Sequence, residues 1–518
     1  MALNRLASIK GFKPLVAGHS FVLGQYVWHR RPDCFRNRSL ASKASEPPQK
    51  LENPPRDLQK EANASSPSSR ESSANSRPSG NTPTSSTPAV SSPSSSTNQS
   101  MPPGWEDNPD YNISAFSQLP HQHFGFNQFI VINEEFKEAL RQILWHFRAP
   151  IRYAFAYGSG VFSQDDGQEP AAWSPHPHPP EAVKTWQKGG GKMIDFIFGV
   201  SFTQHWHSLN LTQHRDHYSF LGSLGSAFVS RIQDRWGAGV YFNPYITVNG
   251  TLIKYGVVNL DTISRDLSEW DTLYLAGRLQ KPVKILRDDP GVRLANQVNL
   301  ISAVRAALLM LGPSFTEREL YTAIAGISYL GDPRMELPAE NPRKVANIVS
   351  AQSTNFRQLY TPLIDNLPNV TFTDPRCSNP DWLNDPNPDT RMEQDMDPIK
   401  RGNIVRRLPK ALRKKLYFQY QKKFAIPGSA FDQVMNESKD EDDQRFKRRQ
   451  GGDFEQRIAE QSDLPKMMGD VIRNTIRWPS ASQSLKSFFT AGPVRSWRYM
   501  SEKVAKSRQR RADSPEKE

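Results

Sequence analysis

The sequence predicts a mixed α+β fold, and three observations carry that expectation. Short runs rich in β-branched and aromatic residues, bounded by Gly, Pro or Asn, recur at 151–157, 193–200, 240–248, 252–258 and 282–286. Helical periodicity separates several of them, at 218–235 and 261–277. From Val292 to residue 373 the pattern turns helical throughout. The expected architecture is therefore a strand-and-helix domain over 119–291 followed by a small helical domain over 292–373.

Individual elements follow from local chemistry. Asn133 can cap a helix in which Phe136, Leu140, Ile143, Leu144 and Phe147 share one face, and Pro150 stops it. Leu294, Val298, Ile301 and the run from Arg305 to Leu311 read as one buried helix, ended by Gly312-Pro313. Thr316 with Glu319 makes a capping box for the next. Residues 374–463 read as loop-rich, and Glu437–Asp453 as a solvated charged insertion.

Composition bounds the function. Lys and Arg total 66 against 53 Asp and Glu, a net charge of +13 over 518 residues. That balance favours anionic partners such as nucleotides, nucleic acid or a phospholipid surface. Two cysteines, Cys34 and Cys377, exclude a disulfide framework and a cysteine zinc site. No apolar run reaches the roughly 18 residues of a membrane span, which leaves surface contact open. Residues 1–45 carry eight Lys and Arg against Asp33 alone, the pattern of a mitochondrial transit peptide. Residues 46–118 are dominated by Ser and Pro and read as a disordered spacer. Residues 464–518 read as a basic amphipathic C-terminal region. There Trp497, Arg498 and Lys503 are the expected contacts with an anionic bilayer. A helix docked on the body, or one bound to nucleic acid, has the same composition.

The strongest local signal is the run Ala154–Phe162, in which a strand enters Gly158-Ser159-Gly160. Glycine tolerates positive φ and lets an oxyanion approach the main chain, so this turn can hold the phosphates of a nucleotide, or be only a turn. It lacks the Lys of a Walker loop and the spacing of a dinucleotide fingerprint. In Met193–Val200 a single acid, Asp195, interrupts an apolar strand, so it must be paired, sit at a strand end, or hold a cation. Lys254 is a lone cation in the apolar strand 252–258 and either meets an anion or snorkels to the surface. Arg278 and Lys281 lie between a helix and a strand, as phosphate contacts or surface charges. Asp332 and Arg334 follow a glycine turn, as a recognition pair or an internal ion pair. His205, His207, His214 and His217 lack the acid spacing of a zinc site. His207 and His217 are expected to hydrogen-bond in the core or line the pocket.

A strand, a Gly-Ser turn and a neighbouring strand bearing Asp resemble the polymerase β-like nucleotidyltransferases, in which the turn grips a triphosphate and acids hold Mg²⁺. This chain departs from that pattern, with Ile197 where a second acid is usual and a long gap between Gly158 and Asp195. A wider set of blocks resembles the mitochondrial translocator assembly and maintenance family of phosphatidate cytidylyltransferases. They are Tyr157–Phe162, Asp195–Phe198, Trp206-His207, His217–Ser219, Gly237–Asn243, Leu252–Val257, Leu273–Lys284, Gly331–Met335 and Phe488–Gly492, spread between Phe124 and Val504.

The resemblance implies a nucleotidyltransferase domain joined to a winged-helix-like domain, with CTP held between them. It implies Mg²⁺ on Asp195, pyrophosphate at Gly158, Ser159 and Gly160, and phosphatidate as acceptor, with Lys254, Arg278 and Lys281 as candidate phosphate contacts. The product would be CDP-diacylglycerol for cardiolipin synthesis, made at the matrix face of the mitochondrial inner membrane without nucleic acid. An RNA nucleotidyltransferase and a non-catalytic inner-membrane assembly factor are the competing readings.

Overall fold

The computed structural model describes residues 105–106, 113–162, 193–336, 342–437, 450–492 and 501, all within the unit Ser92–Glu518. The transit peptide, most of the spacer and the core of the charged insertion lie outside the described residues. So do the expected membrane contacts Trp497, Arg498 and Lys503.

Asn133 caps helix α1 (Glu134–Trp145), its side chain accepting from the Phe136 N–H. Strands β1 (Tyr153–Tyr157) and β2 (Ile194–Val200) follow. Next come helices α2 (Thr203–Gln213) and α3 (Ser226–Arg235), then strands β3 (Val240–Val248) and β4 (Thr251–Asn259). Helix α4 (Leu260–Glu269), the short α5 (Ala276–Leu279) and strand β5 (Lys284–Arg287) complete the layer. The five strands run β3-β4-β2-β1-β5. Every neighbouring pair is antiparallel except β2 with β4, where Asp195 sits directly across from Lys254. Alternation along β2 sends Ile197 into the core shared with the helices that follow, and Phe196 and Phe198 into the core behind the sheet.

Three differences from the sequence expectation have local causes. Helix α2 went unforeseen because its buried face is Trp206, His207 and Asn210, which gives no apolar stripe. The expected helix 218–235 is broken at Gly225, whose φ of +83° ends a 3-10 turn over Phe220–Leu224. The expected helix 261–277 stops at Trp270, which takes φ +59°. Beyond it the buried Asp266 carboxylate accepts the backbone N–H groups of Thr272, Leu273, Leu275 and Ala276 at 2.8–3.1 Å. One acid therefore ties down the loop that leads into α5.

The second region starts with α6 (Pro290–Met310), buried along nearly its whole length. Strand β6 (Ser314–Thr316) leads into α7 (Glu317–Ile327), whose Thr316–Glu319 capping box is present as expected. Helices α8 (Lys344–Ala351) and α9 (Ser353–Ile364) precede strands β7 (Val370–Phe372) and β8 (Arg391–Gln394). The small sheet runs β6-β8-β7, so its central strand lies past residue 373, where the helical domain was expected to end. A fully buried Glu317–Arg357 pair at 2.8 Å holds its long connection, since Arg357 also donates to the carbonyls of Trp382 and Asn387.

The segment 374–463 is not loop-rich. It holds β8 and helices α10 (Pro398–Arg406), α11 (Lys410–Lys423), α12 (Gly428–Glu437) and α13 (Asp453–Ala459). Charged positions masked their apolar faces, with Leu412, Leu416 and Tyr420 buried among lysines and arginines of α11. Order also begins earlier than Leu119, because buried Glu106 pairs with Arg305 and Arg407 at 2.6 Å.

The last helix, α14 (Leu464–Ala491), takes the docked alternative for the first part of 464–518, and the membrane-contact part lies outside the described residues. Met468, Val471, Ile472 and Ile476 pack into the core. Past Pro479 the Gln483 amide bonds the Val240 carbonyl and the Ala238 N–H at the sheet edge. Fully buried Lys486 donates to the Gln233 and Trp236 carbonyls at the end of α3. Burial pulls that ammonium down to about 7.

Asp266→Ala strands three buried N–H groups and a half-buried fourth, so it is expected to cost about 3 kcal/mol or more in denaturant unfolding. A loss under about 1 kcal/mol would contradict the anchoring role.

Candidate active site

Strand β1 ends at the glycine turn. Gly158 has φ +83°, and its carbonyl accepts from the N–H groups of Val161 and Phe162 at 3.0 Å. The positive φ disfavours any side chain at Gly158, and a β-carbon there would stand in ordinary contact with Asp195, 3.5 Å from Oδ2. Gly160 serves differently. A β-carbon there would come within 2.8 Å of the Met193 carbonyl oxygen, so its bareness lets the turn lie on the start of β2. Gly160 backs the turn and is not on the cavity wall, whereas Gly158 and Ser159 are.

A cavity of about 310 Å³ opens in front of this turn. Strands β2 and β4 contribute Asp195 and Lys254, the loop and α5 contribute Tyr274, Arg278 and Lys281, and the second region contributes Ser328, Tyr329, Asp332, Arg334, Lys344 and Gln352. Residues Ile476 and Ser480 of α14 complete the wall. Of the nine residues singled out in the sequence for chemistry at this centre, eight line one space and the ninth, Gly160, supports the turn that faces it; the expected membrane contacts lie outside the described residues.

Lys254 does not snorkel. Its Nζ lies 3.2 Å from Asp195 Oδ1, both side chains keeping about a quarter of their exposure (20% and 27%), and 4.5 Å from the Phe242 ring centre. The parallel register makes this pairing, because side chains directly across two in-register strands share a face. Asp195 Oδ1 is buried and lacks a hydrogen bond of good geometry, so its contact with Lys254 is Coulombic, while the residue itself lines the cavity.

Arg278 donates to the Tyr274 carbonyl and, from Nε, to the Tyr157 hydroxyl at 3.4 Å, with its guanidinium 3.8 Å from the Tyr274 ring centre. Burial and the Asp195 charge push the Tyr157 phenol up, so it stays protonated. Lys281 donates to the Gly277 carbonyl and to Ser328 Oγ at 2.8 Å. Burial, then Arg278 and Lys344, bring its ammonium down to about 7. Lys281 and Lys344 both lie over the Tyr329 ring, at 5.2 and 5.4 Å. Asp332 and Arg334 form the internal ion pair, with Arg334 Nε 2.9 Å from Oδ1, yet both also line the cavity. Burial opposes ionisation of Asp332, and the Arg334 guanidinium outweighs it and holds the carboxyl below its ordinary value. A β-carbon at Gly331 would overlap the Arg473 carbonyl of α14, which fixes the loop that carries the pair.

Five cations thus face two carboxylates across one cavity, an arrangement suited to a polyanion. Tyr329, Lys344 and Gln352 were missed in the sequence. Lys344 opens a helix with no motif around it, and only the fold brings it near Lys281.

The histidines sit behind the sheet, away from this wall. His207 bonds the Tyr218 hydroxyl at 2.8 Å and Gln233 at 2.7 Å, and burial brings its imidazole down to about 4. His217 bonds the Tyr255 hydroxyl at 2.9 Å. The ligand atoms of His214, Asp216 and His217 come within 4.8 Å of one another. The two imidazoles stack with planes 5° apart, however, so their in-plane lone pairs run alongside each other and do not converge.

A family model described as mitochondrial phosphatidate cytidylyltransferase matches residues 140–506. The protein of that name from Schizosaccharomyces pombe is 46% identical over 246 residues, which is 48% of this chain and 58% of the relative. Those of Xenopus laevis and Bos taurus are 36% and 37% identical over 368 and 374 residues, 71% of this chain and 93% and 94% of theirs. The chain thus spans under two thirds of the yeast relative and nearly all of the two vertebrate ones. With the glycine turn, Asp195 and the cation-lined cavity falling inside the matched region, the chain belongs to the mitochondrial phosphatidate cytidylyltransferase family.

Proposed function

We propose that this chain transfers the cytidylyl group of CTP to phosphatidate, giving CDP-diacylglycerol and pyrophosphate. The observation that carries the reading is the meeting of the Gly158–Ser159 turn, Asp195 and five cations in one cavity. A phosphate oxygen of phosphatidate attacks the α-phosphorus, the new P–O bond forms, and the bond from that phosphorus to the β-bridging oxygen breaks. Phosphomonoesters have a second pKa near 6, so the attacking oxygen is largely ionised and needs no strong base. The barrier is repulsion between anions, which calls for fixed positive charge and positioning.

Each residue has a part in that task. Gly158 and Ser159 receive the leaving pyrophosphate, and Arg278, Lys281, Lys344 and Arg334 offset its charge. Lys254 stands beside Asp195 and balances the acid until the triphosphate enters. Oxygen donors suit Mg²⁺, which is commonly held by one or two carboxylates together with substrate phosphates. Asp195, on the cavity wall, would hold the ion, and the ion would neutralise phosphate charge there. Asp332 is committed to Arg334, and Ile197 is buried in the core, so a single protein carboxylate suffices in this reading.

The architecture supports the finer fold assignments. The sheet with its Gly-Ser turn and facing acid fits a polymerase β-like nucleotidyltransferase core. The order α6, β6, α7, α9, β7, β8, with β8 central in the small sheet, fits a winged helix. Among the described residues no helix is long and apolar enough to cross a membrane. The relatives are named mitochondrial, and we assign this chain to the matrix face of the inner membrane as a peripheral protein that uses CTP, phosphatidate and an anionic lipid surface.

Asp195→Ala is expected to lower transfer from CTP to phosphatidate by about a hundredfold or more in a chain that still folds, as circular dichroism would show. Full activity in that variant would remove the assignment, and labelling of RNA in place of lipid would favour the RNA reading. Lys281 faces Arg278, Lys344, Asp332 and Arg334 across the cavity. With its ammonium near 7, it is charged below that pH and increasingly neutral above it. CTP binding is therefore expected to weaken several-fold between about pH 6.5 and about pH 8.5. Lys281→Arg, charged throughout, flattens that dependence; an equally steep profile in the variant would contradict it.

A further inference from the structure

The outward face of α14 changes character along its length. Arg473, Asn474 and Arg477 are exposed in the first part, as expected of a helix in water. After that the exposed residues are Ser484 and four large apolar ones, Trp478, Leu485, Phe488 and Phe489, at 76, 54, 46 and 42%. Trp478, Leu485 and Phe489 follow i, i+7, i+11 spacing and so form one stripe, while the opposite side of the helix is held to the sheet by Gln483 and Thr490 and to the end of α3 by Lys486. The stripe continues onto a second element. Ser219 Oγ donates to the Phe489 carbonyl at 3.0 Å, and the 3-10 turn that begins there exposes Phe220 and Leu224 at 62 and 55%. Phe489 also meets the Trp236 ring at 6.0 Å, next to the exposed Arg231 and Arg235 of α3.

An apolar patch on this scale, rimmed by polar groups, marks a binding surface. Aromatic residues flanked by arginine match the interface of an anionic bilayer, where rings enter the headgroup boundary and cations meet phosphate. Continuity supports the same occupant. Helix α14 is followed by Gly492, beside Ser219, and residues 493–518 add eight Lys and Arg against four acids. Position supports it too. Ser480, on the cavity wall, is nine residues from Phe489, roughly 13 Å along the helix. A patch seated in the headgroup layer therefore holds the cavity within reach of a lipid phosphate.

We propose that the face shared by the second half of α14 and the Phe220–Leu224 turn is the surface by which the folded body inserts into an anionic phospholipid bilayer. The proposal rests on the phosphatidate reading above and assigns the apolar part of binding to the body, leaving long-range attraction to the basic tail.

The test uses the full chain in two assays. One is co-sedimentation with vesicles of equimolar phosphatidylcholine and phosphatidylserine, and the other is transfer from CTP to phosphatidate dispersed in detergent. The paired variants are Phe220→Ser with Leu224→Ser, and Leu485→Ser with Phe488→Ser. Each pair is expected to weaken vesicle binding at least about tenfold while transfer in detergent and thermal unfolding stay as in the parent chain. Vesicle binding unchanged in both pairs overturns the proposal, as does a loss seen only on deleting residues 493–518. A shift from dimer to monomer with vesicle binding intact also overturns it and makes the face a self-association surface. If the parent chain shows no transfer in detergent, the phosphatidate reading fails instead, whatever the vesicles report.

Discussion

The Asp195–Lys254 pair organises the rest of the centre. A carboxylate in the middle of an apolar sheet is costly unless a cation compensates it, and the cation comes from the next strand. This needs β2 and β4 to be parallel and in register, and the crossover through α2, α3 and β3 makes them so. The neighbouring β1 then ends beside the acid in a turn whose left-handed backbone at Gly158 favours glycine. From this one juxtaposition follow the position of the cavity, the side of the sheet it faces, and the need for further positive charge across from it.

The remaining cations come from elements that have little else in common. Arg278 and Lys281 are placed by α5, whose loop is pinned by the buried carboxylate of Asp266. Arg334 and Lys344 come from the far side of the second region. Helix α14 reaches both layers, packing into the core with its first half and bonding the sheet edge with its second. A wall built from several independently anchored elements keeps like charges together in the absence of a ligand. Burial first, and the neighbouring Arg278 and Lys344 second, hold the Lys281 ammonium down near 7.

Much of this was legible in the residues. The glycine turn, the odd acid in β2 and the odd base in β4 each broke a local pattern, and a break in a pattern is visible without a fold. What stayed hidden was who met whom. Nothing local says that Asp195 and Lys254 answer one another, because their pairing depends on a parallel register fixed about sixty residues away. Lys344 and Tyr329 broke no pattern at all. Gly160 broke one and was read for the wrong task, since bareness for backbone packing and bareness for ligand approach look alike in a sequence. Helices α10 to α13 were overlooked because their buried faces are interleaved with charge. The C-terminal region was read from its composition alone, and the structure shows its first half docked.

The account stands or falls on where the phosphorus of CTP goes. CTP labelled at the α-phosphorus should pass its label into the chloroform-soluble fraction when phosphatidate is supplied, while label at the γ-phosphorus leaves as pyrophosphate in the aqueous phase. Label from the γ-position in lipid, or no transfer of either label by the folded chain, would contradict it.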